Sequence, residues 1–77
     1  MSMEEKLKEL QEVERARLPF MKRWTKVDVF IEGDKLVHYW NGVGRDNPGW
    51  EFHRIERPVD NIQYYITYHR KKLSEER

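Results

Sequence analysis

The sequence predicts an α+β fold, with an N-terminal amphipathic helix packed on one face of a four-stranded antiparallel sheet in two layers. Three observations carry this. Met3, Leu7, Leu10 and Val13 recur at helical spacing with Glu and Lys between them. Residues 27–40 read as two alternating strands about a two-residue Gly33-Asp34 turn. Two further stretches, 50–56 and 62–69, alternate aromatic or aliphatic residues with polar ones.

The helix is expected over residues 3–17. Ser2 with Glu5 three positions on forms a capping box at its start. Pro19 ends it, because the residue before a proline avoids helical backbone. Leu18, Phe20, Met21 and Trp24 then make an apolar connector, one short helical turn at most. The Met3-Leu7-Leu10 spacing covers two heptads, too few for a coiled coil.

Strands are expected at 26–32, 35–41, 50–56 and 62–69, with residues 73–77 as a frayed tail. Residues 42–49 form the longest loop and residues 57–61 the next connection. The longer loop is Gly-rich, but it has no Gly-Lys-Ser/Thr and no helix after it. It is therefore a mobile connector or an interface contact, not a phosphate loop.

The tight turn sets the register of the first hairpin. Ile31 faces Leu36, Val29 faces His38 and Val27 faces Trp40, all on one side of the sheet. Lys26, Asp28, Phe30 and Glu32 lie on the other side, opposite Asn41, Tyr39, Val37 and Lys35. The first set is more apolar and should meet the helix. In the second hairpin, a five-residue loop pairs Glu56 with Ile62, Phe52 with Ile66 and Trp50 with Tyr68. Trp50, Phe52, Arg54, Ile62, Tyr64, Ile66 and Tyr68 then face inward, and Glu51, His53, Ile55, Gln63, Tyr65, Thr67 and His69 outward. A four-residue loop would set Trp50 and Phe52 beside Tyr65 and His69, and it gathers fewer apolar side chains. The expected core is Leu7, Leu10, Val29, Ile31, Leu36 and Ile66.

At 77 residues the chain is one small domain spanning 1–77. A domain of this size buries only ~60% of its extended-chain surface. The absence of cysteine excludes disulfides, thiolate metal sites and a cysteine nucleophile, which suits a reducing cytoplasm. No apolar run approaches the ~20 residues of a membrane span or the ~7 of a signal-peptide core. The expectation is a cytoplasmic protein without a membrane partner. Charge is balanced, 15 basic against 14 acidic residues, which is not the basic excess of a typical nucleic-acid-binding domain. An aromatic content of 13% is too high for a disordered chain.

In this register the outer face collects Phe30, Val37, Tyr39, His53, Ile55 and Tyr65. One helix cannot cover both faces of a sheet, and exposed apolar patches mark interaction sites. The expected function is a small non-enzymatic protein-binding module, of the inhibitor or adaptor type common in bacteria and phages. It would dock on another protein through that face or a free strand edge, and a homodimer would use the same face. The alternative is single-stranded RNA binding through Tyr65, His69, Arg70, Lys71 and Lys72, with aromatic rings stacking bases and cations holding phosphates.

A ribonuclease is the second alternative, with His53, Arg54, Tyr65 and His69 as acid, base and phosphate clamp. The helix followed by an antiparallel sheet ending in Tyr68-His69-Arg70-Lys71-Lys72 resembles RelE-type toxins, small ribosome-dependent ribonucleases. The resemblance covers residues 50–72 without a diagnostic motif. The strand that precedes the first helix in that group is missing and the chain is short for it, so no catalytic residue is carried over. His38, His53 and His69 do not converge in this register, and neither a metal nor a cofactor is expected. His38 reads as a buried histidine satisfied by a neighbour. Arg54 reads as an edge-of-core arginine paired with Glu56 or a helix glutamate, its stem packed on aromatics.

Overall fold

The computed structural model describes residues 2–21, 24–43 and 50–76, with Val43, Trp50 and Glu51 described by backbone alone. Helix α1 spans Met3–Arg17 and runs into a 3₁₀ turn, Leu18–Phe20. Strands β1 (Lys26–Glu32), β2 (Lys35–Val43) and β3 (Trp50–Pro58) form one antiparallel sheet in that order. A second 3₁₀ turn, Val59–Asn61, leads into helix α2, Ile62–Glu76. No helix among the described residues is long and apolar enough to cross a membrane.

Helix α1 starts at the expected cap. Ser2 is extended, and its hydroxyl oxygen accepts the backbone N–H of Glu5 at 3.2 Å. Glu4 and Glu5 in the first turn and Arg15 and Arg17 in the last complement the helix dipole. The helix ends before Pro19, though for a different reason from the one expected. Leu18 keeps helical backbone (φ −52°, ψ −43°), and the chain tightens into a 3₁₀ turn. Pro19 sits at the start of that turn, where its missing N–H breaks no internal hydrogen bond.

The first hairpin has the expected register: Val27 opposite Trp40, Val29 opposite His38, Ile31 opposite Leu36 and Glu32 opposite Lys35. Gly33 makes it possible, since its φ of +66° is a conformation that side chains disfavour. Strand β2 then pairs with β3 so that Leu36 faces Arg57, His38 faces Ile55 and Trp40 faces His53. Both strands run two residues beyond their expected ends. The rest of the expected long loop, residues 44–49, lies outside the described residues, as does Arg77.

Three expectations are corrected. The fourth strand at 62–69 does not exist, and the tail at 73–76 is not frayed, because Ile62–Glu76 is one helix of 15 residues. Ile62, Tyr64, Ile66 and Tyr68 alternate like a strand, but Ile62, Tyr65, Ile66 and His69 also recur at helical spacing. Length decides between the two periods, since the charged run that follows continues the helix. The third correction concerns β3. With the imagined partner strand gone, pairing with β2 puts His53, Ile55 and Arg57 on the inner face and Phe52, Arg54 and Glu56 on the outer.

Both helices contribute to one apolar core. Leu10 of α1, Val29 of β1, Leu36 of β2 and Ile62 and Ile66 of α2 are buried together, with Leu7, Ile31 and Tyr65 packed against them. Gln11 of α1 donates its side-chain amide to the Val29 carbonyl at 2.7 Å, tying the helix to an edge strand. On the outer face, Arg54 of β3 reaches Glu32 of β1 at 3.1 Å and Glu56 at 3.1 Å. That link passes over β2, where Val37, opposite Phe30 and Glu56, is 0% exposed.

Candidate functional site

Beyond the apolar core, the same helix–sheet interface becomes polar. Glu14 lies one helical turn past Leu10, His38 lies two residues past Leu36 on the same face of β2, and His69 lies three past Ile66 on α2. Their side chains meet. One carboxylate oxygen of Glu14, Oε1, stands 3.0 Å from His38 Nδ1 and 3.0 Å from His69 Nε2. Glu14 and His38 are 2% exposed, so this is a buried charge held by two imidazoles.

Proton positions follow from the partners. Arg17 Nη1 lies 2.7 Å from His69 Nδ1, and a guanidinium can only donate. His69 Nδ1 therefore accepts, its proton sits on Nε2, and that N–H donates to Glu14. His38 donates Nδ1–H to the same oxygen. Arg17 in turn donates to both carboxylate oxygens of Glu76, the shorter bond 2.8 Å. The chain of contacts Glu76–Arg17–His69–Glu14–His38 thus links the two helices to β2. Burial alone would push the Glu14 carboxyl up; the hydrogen bonds from His38 and His69 outweigh it and hold Glu14 below its ordinary value. Among the described residues two buried atoms have no hydrogen-bond partner, Glu14 Oε2 and His38 Nε2.

Two histidines and a carboxylate at this spacing invite a metal reading, since the ligand atoms lie within 4.8 Å of one another. The surroundings do not fit it. Metal-bound imidazoles donate their outer N–H to an acceptor. A metal on His38 Nδ1 would move the proton to Nε2, which has no partner. A metal on His69 Nε2 would move it to Nδ1, against the N–H of Arg17. The set suits a proton-sharing network better than a cation.

A cavity of about 510 Å³ opens beside this network, between the inner face of the sheet, the connector after α1 and helix α2. Its walls are aromatic. Trp40 stacks on His38 at 5.7 Å, and Tyr65 meets His38 edge-on at 5.2 Å. Trp24 lies 5.7 Å from His53. Tyr64 and Tyr68, one turn apart on α2, stack at 6.3 Å and also line the cavity, 65% and 41% exposed. Arg57 completes the lining, its guanidinium 4.9 Å over the Tyr65 ring.

The residues expected to form one outer patch are thereby divided. Phe30 and Tyr39 lie on the outer face as expected, and Val37 lies there too but is fully buried. His53, Ile55 and Tyr65 line the cavity on the opposite side. The expected basic cluster is divided as well. His69 turns into the buried network, Arg70 pairs with Glu9 of α1, and Lys72 lies 3.8 Å from Glu75 and 5.7 Å over Tyr68. Lys71 is exposed. Of the four residues considered for a ribonuclease, His53, Tyr65 and His69 share the cavity while Arg54 is on the far face. The sheet ending at residues 68–72, on which the resemblance to RelE-type toxins rested, is helix.

Glu14, Arg17, Trp24, Arg57, Tyr64 and Tyr68 escaped the sequence reading as site residues. One signal was present: Leu7, Leu10, Glu14 and Arg17 continue a single helical stripe, and a carboxylate on a buried stripe needs a partner. No protein-family model, curated protein or solved structure matches this chain.

Proposed function

We propose that this protein is a small-molecule-binding domain whose pocket takes a planar ligand. The cavity carries the reading. Its volume falls within the ~300–1,000 Å³ of ligand sites, and its lining has their character, aromatic walls with a few fixed polar groups. The hydrogen-bonded network behind the wall supports this by fixing the His38 and His69 rings before any ligand arrives, so binding has less to order. The test is titration with a neutral planar probe, 2-naphthamide, followed by calorimetry and by tryptophan fluorescence, since Trp24 and Trp40 line the cavity. Saturable one-to-one binding that weakens in Tyr64→Ser and Tyr68→Ser supports the pocket. No binding at millimolar probe overturns it.

A second reading keeps the expected protein-docking role on a smaller surface. Phe52 is 63% exposed on the outer face, 6.1 Å from Tyr39 and on the same side as Phe30. Aromatic side chains of this kind are common binding hot spots. Capture of a protein partner that is lost in Phe52→Ser but retained in Tyr64→Ser would favour this surface over the pocket.

A further inference from the structure

The charged groups around the cavity are not equivalent. Glu14 receives two imidazole N–H groups, and Arg17 is matched by Glu76 and His69. Those charges are satisfied within the protein. Arg57 is not: among the described residues it has no carboxylate or carbonyl partner, and its guanidinium lies 4.9 Å over the face of Tyr65. Tyr65 is itself positioned by packing against the apolar core and by its edge contact with His38. The guanidinium is therefore oriented on the cavity wall with its N–H donors unspent, and it sits beside the aromatic surfaces that would hold a ring.

We infer that Arg57 is the anion anchor of this pocket and that its ligand is an aromatic monocarboxylate. The inference rests on the pocket reading above. A guanidinium fork matches the two oxygens of a carboxylate with parallel N–H···O bonds. One unmatched cation balances one negative charge, and among the described residues a second negative charge in the cavity would face no further free cation. Trp40 and Tyr65 give the ring of such a ligand aromatic neighbours, with Tyr64 and Tyr68 at the exposed side.

The experiment is calorimetric titration of the intact chain with three probes of one shape: 2-naphthoate, neutral 2-naphthamide and 2-naphthyl phosphate. The expected result is naphthoate binding about ten-fold tighter than naphthamide or more. That preference should fall to near unity in Arg57→Gln, with naphthamide affinity unchanged, and survive in part in Arg57→Lys. Circular dichroism checks that the variants fold. Should Arg57→Gln fail to do so, the wild-type preference and the Arg57→Lys values decide. Equal binding of naphthoate and naphthamide overturns the anchor and leaves the pocket standing. Binding of neither overturns both. Naphthyl phosphate binding more tightly than naphthoate overturns the monoanion.

Discussion

Two halves of one interface lie a single repeat apart. At Leu10, Leu36, Ile62 and Ile66 the helices meet the sheet in an apolar core. One helical turn on along α1, two residues along β2 and three along α2, Glu14, His38 and His69 meet instead. The apolar half needs volume and little else, and neighbouring side chains of similar size would fill it. The polar half needs each partner in place, because a buried carboxylate without its donors costs more than the pair contributes.

The largest effect should come from breaking the polar half at its centre. Glu14→Ala strips the acceptor from two imidazole N–H groups at once, and at ~1–3 kcal/mol for each orphaned donor it should cost ~2–6 kcal/mol. Urea denaturation measures it, and a loss below ~1 kcal/mol would mean that the network is ornamental to stability. Leu10→Ala and Ile66→Ala, in the apolar half, should each cost ~2–5 kcal/mol by the same measurement. If only those two matter, the halves are unequal in the opposite sense.

Acidity separates the halves further. Glu14 is held below its ordinary value in the folded chain, so its contribution is fully present above the ordinary glutamate range. It is lost as pH falls through the lowered value. Glu56 and Glu76, held down by Arg54 and Arg17, act in the same direction. Glu14→Gln should therefore make the acid-side loss of stability shallower without abolishing it, as read from melting temperature against pH. An unchanged acid limb would show that folding does not lower the proton affinity of Glu14, and so that the two imidazoles do not hold its charge. The smallest effect is expected at the pocket rim, where Tyr64→Ser should stay within ~0.5 kcal/mol of wild type in stability. Its loss should appear in ligand affinity instead.

Legibility in the sequence followed the same division. Helix α1 and the β1–β2 register were readable because local rules govern them: a capping box, a proline and a two-residue turn that fixes which side chains share a face. Leu10, Val29 and Leu36 fall in the core for that reason, whereas Ile66 reaches it from a helix and not from the expected strand. Helix α2 was hidden because its aromatic residues satisfy both the strand and the helix period. The parity of β3 was lost with it, since it had been set against a strand that is not there. Glu14 was invisible for a different reason. Hydrophobic periodicity records where apolar residues recur, and a buried charge appears in that record as a gap. Only its three-dimensional partners reveal it.

The sheet's middle strand carries one more consequence. Leu36, Val37 and His38 are consecutive, and all three are buried, two beneath the helices and one beneath the Arg54 link on the other side. Strand β2 is thus shielded on both faces and flanked by β1 and β3, so its amides should exchange with solvent only when the whole chain opens. The α2 amides near Tyr64 and Tyr68 lie on an exposed helix face and should exchange through local opening. Deuterium uptake at the first set would then act as a gauge of global unfolding, and at the second as a gauge of pocket occupancy, both read in one sample.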